Sequence, residues 1–472
     1  MADFLAEVVG LLLAYWPFFG AVILGLAMPA FIIVFSQFAQ RFPDHLKLAA
    51  LLAMIILGST MATALSGRIL VSEAELAAHP LLVETAAGAT GNFWPSRLAH
   101  LVLLSISIAE IFMWVIRRRQ MPAGVMVLWA AAIAYYFFSV VVSGILGNFR
   151  SMELNVIYAP IVFTGAALLT SNDFAKTLQT LRWVLFFPLL GSLLCIGLAP
   201  SLVIETGYKG FLPGVTFRLA GFTEHANSLS VVSAIALLLE FSGYVRRRPN
   251  LLFVAVSAAT LLLAQSKTSW MVFLLGAGLL LINWLRERSR TLQARNTALA
   301  VLASFFMLGS AAVAFLFLKI DAIQRFLEAD KTGLVTFTGR TKIWAITWDE
   351  FLRSPLSGYG PAIWDLQYRM QHGMSYVGQA HNQIMQTLGQ AGVIGVCSLI
   401  FYLIILITRS WRGWNKTHGL AFVFVAVLVI RGFSESPMRM IGMMDVDSFV
   451  HLLAFAAVAT TMARCNDQRA KP

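Results

Sequence analysis

The sequence predicts an all-α protein: a polytopic bundle of about 12 to 13 transmembrane helices with a large helical loop outside the cytoplasm. The first observation behind this prediction is the composition. Of the 472 residues, 58% are hydrophobic and only 12% are charged, whereas a soluble globular protein carries about 25% charged residues. The second is that apolar stretches of roughly 18 residues or more recur along the chain, each long enough to cross a bilayer as a helix.

These apolar stretches mark 13 candidate spans. They lie near residues 10–38, 47–66, 98–116, 122–143, 155–170, 181–199, 227–245, 250–266, 268–285, 296–318, 383–408, 418–435 and 446–463. The first stretch is overlong and contains Pro17 and Pro29, so it is compatible with one span after a surface helix or with two short spans. No lysine or arginine precedes it, and we therefore expect mature membrane sequence rather than a cleaved signal peptide.

Basic residues predict the orientation of the bundle. Lysine and arginine cluster in alternate connections, and such connections stay on the cytoplasmic side of a membrane. Together with the C-terminal tail, these connections hold 20 of the 35 lysine and arginine residues. The segments expected on the opposite, external side are residues 66–97, 144–154, 200–226, 319–382 and 436–445. The net charge of +12 thus indicates membrane topology, and we expect no nucleic acid as a partner.

The external segment 319–382 is the longest and contains a predicted amphipathic helix, "GRTKIWAITWDEFLRSP". Its apolar face is predicted to hold Ile343, Trp344, Thr347, Trp348, Phe351 and Leu352. Such a helix is expected to lie on the membrane surface or to cap a cavity. We therefore expect one integral membrane domain over residues 1–472, with residues 319–382 as an external lid within it.

Two basic residues on the external side are candidates for anion binding. Arg218, in "VTFRLAGFTEHANSLS", precedes a span. It can act as an interfacial anchor or as a fixed guanidinium that pairs bidentately with a phosphate. Lys267, in "LLLAQSKTSWMVFLL", lies in a tight turn at the start of the next apolar run. It can simply reach water, or it can form a phosphate cradle with the N–H groups of the following helix.

The third candidate is His381 in "GQAHNQIMQTLGQAGVIG", residues 378–395, where it stands beside Asn382 at the outer start of a span. A lone histidine is often only a surface residue. Here, however, it closes the large external segment that carries Arg340, and a glycine-rich helix suited to close packing follows it. Histidine can accept a proton from a hydroxyl group near neutral pH, so His381 is a candidate general base.

Two weaker patterns have simpler interpretations. "DVD" at Asp445 and Asp447 resembles a metal-binding motif of sugar-nucleotide transferases, but such a pattern arises easily by chance. Arg431 and Glu435 are four residues apart, and we expect them to form an ion pair in a cavity wall. Because zinc spacings, glycine-rich phosphate loops and serine-hydrolase elbows are missing from the sequence, no cofactor and no metal are expected.

In their order along the chain, the three candidate clusters resemble the external motifs of the bacterial O-antigen ligase and polysaccharide polymerase superfamily. These are integral membrane glycosyltransferases, and the resemblance is most specific over residues 215–400. The residues that look like the first external motif are Arg218, Gly221, Phe222 and Asn227. "SKT" at 266–268 looks like the second motif, in which the family usually has arginine where this chain has Lys267. "TGRTKIW" and "SPLSGYGPAIW" look like the start of the family's large loop, and "AHNQIMQTLGQAGVIG" is similar to the His-Asn…Gly-x-x-Gly motif that ends it.

The resemblance implies an inverting, metal-independent glycosyl transfer at the periplasmic face of the bacterial inner membrane. The donor would be a glycan on undecaprenyl pyrophosphate, and the acceptor a glycan or a lipid-linked hydroxyl. Arg218 and Lys267 would stabilise the departing pyrophosphate, His381 would be the general base, and Asn382 would orient the base or the acceptor. The remaining residues expected to bind substrate are Asn227, Arg340, Trp344 and Arg431. Membrane lipid is an expected partner, and a chain-length regulator is a candidate one.

Three functions stay open at this point. The leading one is a polymerase that joins repeat units of an exopolysaccharide or O-antigen. The alternative within the same class is a ligase that moves finished O-antigen onto lipid A–core. The third, from a different class, is a transporter of lipid-linked oligosaccharide, which would favour paired halves and ionisable residues at mid-membrane. Here the charges cluster at one external rim and the two halves do not mirror each other.

Overall fold

The computed structural model describes residues 32–70, 94–170, 173–206, 212, 215–288, 296, 334–374 and 377–467. Within these residues the chain is helical apart from turns and two three-residue strands. The helices of the first half are α1 Asp44–Leu65, α2 Trp94–Ile116, α3 Ala123–Tyr136, α4 Ser143–Leu146, α5 Tyr158–Leu168, α6 Phe174–Leu198, α7 Pro200–Val203 and α8 Ala226–Phe241. Those of the second half are α9 Leu251–Ala264, α10 Lys267–Arg288, α11 Leu334–Arg353, α12 Leu366–Gln371, α13 Gln383–Arg412, α14 Leu420–Arg431 and α15 Val446–Asp467.

Seven helices of the described chain are long and apolar enough to cross a membrane, and four more are apolar but shorter. The prediction of an all-α, polytopic membrane protein is therefore confirmed. Eleven of the predicted spans coincide with these helices. The other two, 10–38 and 296–318, lie outside the described residues except for 32–38 and 296, so the total of 13 spans stays a prediction.

A large apolar core joins the helices of the bundle, and a second, smaller core lies in the external segment. Leu48, Leu52, Phe424 and Phe455 are among the fully buried members of the large core. The small core consists of Ile343, Ile363, Trp364, Tyr368, Met374, Val377 and Ala380. The external segment thus has apolar packing of its own, as the lid hypothesis requires.

The external segment is fastened to α13 through glycines. A Cβ atom on Gly389 would lie 2.4 Å from Cγ2 of Thr347 in α11, so only glycine allows this approach. Gly392 has a φ of +60° and interrupts α13, and a Cβ atom there would lie 2.5 Å from the carbonyl oxygen of Pro355. Because of this break, the backbone N–H of Val393 donates to the Pro355 carbonyl, 2.9 Å away. Gly389 and Gly392 therefore bring residues 347–356 close to α13, in keeping with the close packing that the sequence predicts for this helix.

The residues of the predicted apolar face of α11 differ in burial. Ile343 and Thr347 are buried, whereas Trp348 and Leu352 are exposed. The helix is rotated because its buried side includes Glu350, whose carboxylate accepts a hydrogen bond of 3.1 Å from the Tyr368 hydroxyl. A polar residue with an internal partner thus replaces an apolar one on the packed face.

Two features of the backbone were not predicted. Strands β1 Ile204–Thr206 and β2 Phe217–Leu219 pair in antiparallel fashion outside the bundle, with Glu205 opposite Arg218. Between α3 and α4 the helix widens into a π-turn over Phe137–Val142. There, the carbonyl of Ser139 accepts a hydrogen bond of 2.7 Å from the Gln390 side chain of α13, so a polar residue of a membrane helix satisfies the irregular backbone.

Candidate active site

Four segments of the described chain meet around Glu435 at the end of the bundle that the sequence predicts to be external. They are the strand and helix start at 217–227, the turn at 264–267, the loop at 378–382 and the loop at 432–436. Hydrogen bonds between side chains join three of these segments directly, and the turn at 264–267 joins them through a backbone carbonyl.

Arg218 is held at the centre of β2 by three groups. Its Nε donates to the carbonyl of Ala264 at 3.0 Å, and its Nη2 donates to the side-chain oxygen of Asn227. Its Nη1 lies 3.9 Å from the carboxylate of Glu205 on the paired strand. The side chain is only 15% exposed. Such a fixed guanidinium differs from a lipid anchor, whose long side chain reaches freely toward headgroups.

Lys267 is the first residue of α10 and is exposed. The turn before it is fixed to β2, because the Gln265 amide donates to the carbonyl of Phe217 at 2.7 Å. Gln265 itself adopts a left-handed conformation, with a φ of +51°. The structure therefore places Lys267 three residues from Ala264, whose carbonyl Arg218 binds. The helix start adds backbone N–H groups that favour an anion.

His381 is oriented by the carboxylate of Glu435. Its Nδ1 lies 2.8 Å from Oε2 of Glu435, and its backbone is left-handed with a φ of +50°. The same Oε2 accepts a hydrogen bond of 2.8 Å from Gln379, and Oε1 accepts one of 3.0 Å from Asn227. Glu435 is 5% exposed, whereas the His381 side chain is 27% exposed. One edge of the imidazole is thus fixed while the ring stays accessible.

The Glu435 carboxylate remains ionised in this environment. Burial alone would raise its pKa, but the hydrogen bond and charge of His381, together with the charges of Arg431 and His225, outweigh burial and lower the pKa below its ordinary value. Since an ionised carboxylate only accepts hydrogen bonds, Nδ1 of His381 carries the proton in this pair. In the neutral imidazole, Nε2 is then the basic nitrogen.

The predicted ion pair between Arg431 and Glu435 is not formed. The Arg431 guanidinium pairs with Asp447 instead, and its Nη1 donates to the backbone carbonyl of Asn227 at 3.3 Å. The reason is that α14 ends at Arg431, so the spacing of four residues no longer places the two side chains side by side. Arg431 is buried and supports the segment that carries Asn227.

The "DVD" pattern has two separate structural roles. Asp447 pairs with Arg431, and Asp445 accepts a hydrogen bond of 2.6 Å from the backbone N–H of Ser448 at the start of α15. In the part of the chain that the structure describes, there is no group of three or more potential metal ligands.

The remaining predicted residues lie at the edge of this site. Asn382 caps α13, since its side-chain oxygen accepts from the N–H groups of Ile384 and Met385, each at 3.0 Å. The Trp344 indole donates to the carbonyl of Ala380 at 2.9 Å, next to His381. Arg340 lies one helical turn before Trp344 and is partly exposed. No contact of Arg340 with Arg218, Lys267 or His381 occurs among the described residues.

Several residues of the site were missed by sequence reasoning. Glu435 was assigned to the wrong partner, and Gln379 was not considered. Arg68 was also missed: its guanidinium donates to the carbonyls of Gly221, Leu202 and Glu224, at 2.5, 3.2 and 3.3 Å. It thereby fixes the loop between Arg218 and α8. The sequence could have identified Arg68, because it is another basic residue on the side that should be poor in positive charge.

Taken together, these contacts form one hydrogen-bonded chain from a cation to a base. Arg218 donates to Asn227, Asn227 donates to Glu435, and Glu435 accepts from His381. An anionic group near Arg218 and a hydroxyl group near His381 would therefore lie in one site. Such an arrangement suits a reaction in which a hydroxyl attacks and an anion departs.

Comparison with known proteins gives independent support for a membrane enzyme that transfers glycans. No curated protein matches the chain. Residues 252–400 match the family model Wzy_C, which is described as O-antigen ligase. This match includes Lys267, Arg340 and His381 and supports a multi-pass membrane enzyme that transfers glycans with lipid-linked substrates. The resemblance of this chain to the O-antigen ligase superfamily is thereby confirmed.

Proposed function

We propose that the protein is an inverting glycosyltransferase that polymerises undecaprenyl-pyrophosphate-linked repeat units on the periplasmic face of the inner membrane. The hydroxyl of the acceptor attacks the anomeric carbon of the donor glycan, and the bond from that carbon to the pyrophosphate oxygen breaks. The proton of the hydroxyl passes to His381, and undecaprenyl pyrophosphate leaves.

The observation that carries the proposal is the pairing of His381 with Glu435. The carboxylate fixes the ring and its tautomer, and it stabilises the imidazolium that forms when Nε2 accepts the proton. Among the described residues no hydrogen bond occupies Nε2. The accessible edge of His381 is thus the one that can reach an acceptor hydroxyl.

Positive charge in the same site suits the leaving group. Arg218 is held rigidly, so its orientation costs little when pyrophosphate charge develops. Lys267 adds a second cation at a helix start, although an ammonium lacks the planar fork of an arginine. Trp344, whose indole binds the Ala380 carbonyl, and Arg340, one turn earlier on α11, would contact the glycan. Asn227 contributes by linking Arg218 to Glu435.

A ligase that moves finished O-antigen to lipid A–core is the second candidate, because the matched family model is described as O-antigen ligase. Both enzymes use the same donor and the same type of attack. They differ in the acceptor, which is another lipid-linked glycan for a polymerase and a lipid A–core hydroxyl for a ligase.

The deciding experiment replaces His381 with alanine in the native host and analyses the glycan left on the lipid carrier. Accumulation of single repeat units supports a polymerase, whereas accumulation of long, complete chains supports a ligase. Accumulation on the inner leaflet alone would indicate a transporter. An unchanged glycan profile, with the variant present in the membrane at the normal level, would remove His381 as the base.

A further inference from the structure

The lid helix α11 has an apolar stripe that faces away from the protein. Trp348 is 46% exposed, Leu352 is 57% exposed, and Leu356, just after the helix, is 66% exposed. Trp348 and Leu352 are four positions apart on α11 and therefore share one side of the helix, and Leu356 follows in the turn after the helix ends at Arg353. The polar residues Asp349 and Arg353 are also exposed but lie on the neighbouring side. The exposed surface of the segment thus has an apolar side next to a polar side.

The depth of this stripe relative to the bilayer follows from helix α13. One exposed apolar residue of α13, Ile384, precedes the break at Gly392, and beyond the break the others form a run from Val393 through Ile400, Ile404 and Ile407 to Trp411. At 1.5 Å per residue this run is about 27 Å long, close to the roughly 30 Å of a bilayer's hydrocarbon core. Val393 therefore lies near one boundary of the hydrocarbon. Since Arg409 and Arg412 mark the cytoplasmic end, that boundary belongs to the outer leaflet.

The lid is attached at this same boundary. The backbone N–H of Val393 donates to the carbonyl of Pro355 at 2.9 Å, and that of Ile394 donates to the carbonyl of Leu356 at 3.3 Å. Earlier on α11, Thr347 packs on Gly389, which lies before the break in α13 at Gly392 and therefore on the outer side of Val393. Leu356 thus lies at the edge of the hydrocarbon, and Trp348 lies a few ångströms above it, at the depth where tryptophan is enriched in membrane proteins.

We infer that α11 is an interfacial helix whose stripe of Trp348, Leu352 and Leu356 is embedded in the outer leaflet of the bilayer. The occupant of this surface is lipid, because the stripe continues the lipid-facing side of α13 without a polar break at Val393. The bilayer then fixes the height of the lid, and with it the position of Trp344 against Ala380 beside His381. The inference does not depend on the proposed glycosyl transfer.

Spin labels on the full-length protein test this placement. The three cysteines, Cys195, Cys397 and Cys465, are replaced by serine, and a single nitroxide is attached at Leu352→Cys or, as the matched control one turn away, at Asp349→Cys. The protein is reconstituted in vesicles of phosphatidylethanolamine and phosphatidylglycerol. Collision rates are measured with oxygen, which concentrates in lipid, and with a water-soluble nickel chelate.

At Leu352→Cys we expect oxygen to collide severalfold more than the nickel chelate, with the reverse preference at Asp349→Cys. If the nickel chelate collided more often than oxygen at both positions, the stripe would face water and the inference would be overturned. Protection of Leu352→Cys from both reagents would also overturn it, because protein rather than lipid would then cover the stripe. None of these measurements uses enzymatic turnover. A negative result would therefore be distinct from a failure of the proposed function.

Discussion

Charged residues are buried at both ends of the bundle, but they are arranged differently. Toward the end predicted to be cytoplasmic, Arg182 pairs with Glu240, and the second carboxylate oxygen of Glu240 accepts from the N–H of Asn250 at 2.8 Å. Lys47 likewise pairs with Glu110, at 2.5 Å. All four of these side chains are buried. At the external end the Glu435 carboxylate is equally buried, yet its partner His381 keeps an accessible edge.

This difference separates structural charges from candidate functional ones. A buried pair whose two members contact only each other and the protein fixes helices together, and breaking it leaves an uncompensated charge. A buried carboxylate that holds a partly exposed base leaves that base able to react. The comparison predicts that mutations at the two ends lower different quantities: activity at the external end and stability at the cytoplasmic end.

The largest effect on activity is expected for His381→Ala. Loss of a general base lowers the rate by about 10²- to 10⁴-fold. Transfer from a lipid-linked donor by the purified protein measures this loss, and the melting temperature should fall only slightly, because alanine suits the left-handed backbone of this position less well than histidine does. A fall in melting temperature that accounts for the lost activity would contradict the separation drawn here.

Arg182→Ala should give the opposite pattern. Removing one member of a buried pair costs about 3–5 kcal/mol of stability, and Glu240 would be left without its cation. We expect less folded protein in the membrane, with nearly normal activity per folded molecule. Thermal unfolding monitored by size-exclusion chromatography, alongside the transfer assay, makes the comparison, and Arg182→Lys serves as the control that retains the charge.

Glu435→Gln should lower activity by about 10- to 100-fold, because a hydrogen bond to a charged group contributes about 1.5–3 kcal/mol. A neutral amide stabilises a protonated imidazole less than a carboxylate does. Transfer rates per folded molecule measure this loss. A purely structural role for Glu435 would lower the folded fraction and leave the rate per folded molecule unchanged.

Lys267→Ala is expected to reduce transfer about tenfold, through the loss of one charge near the leaving group, which corresponds to about 1.4 kcal/mol. Lys267→Arg is the matched control and should keep activity at or above the wild-type level, because arginine adds a bidentate fork. Steady-state rates with a lipid-linked donor distinguish the two variants. Equal activity of the wild type and Lys267→Ala would place this lysine outside the reaction.

The smallest effect is expected for Asn382→Ala. Loss of the cap on α13 should cost about 1 kcal/mol of stability, with a modest change in activity. Asn382→Ser, which can still cap the helix, should restore the melting temperature. If both variants lost activity to the extent of His381→Ala, Asn382 would act on substrate and not only on the helix.

The fold could be predicted from the sequence because hydropathy is a local property. The helices from α1 to α15 that cross or enter the membrane follow from apolar runs that are read directly along the chain. The face of α11 could not be read in this way, since burial of Glu350 depends on Tyr368, eighteen residues away. Local periodicity shows that a helix is amphipathic, but partners decide which side is packed.

The candidate site shows the same limit. Arg218, Lys267 and His381 stood out because polar residues at the rim of a membrane bundle are uncommon. The hydrogen bonds that connect these residues could not be predicted, because Asn227 and Glu435 are 208 residues apart in sequence and meet only in the folded chain. A prediction from spacing alone paired Glu435 with Arg431, whereas the end of α14 directs these side chains to different partners.

The left-handed backbone at His381 limits which side chains this position accepts. Most residues with a Cβ atom are disfavoured at a φ of +50°, whereas asparagine and glycine adopt it readily. Substitution by valine or isoleucine would therefore distort the loop as well as remove the base. Trapping a complex requires an inactive enzyme that still binds its lipid-linked substrate. Replacement of His381 with asparagine is the best way to obtain such a variant.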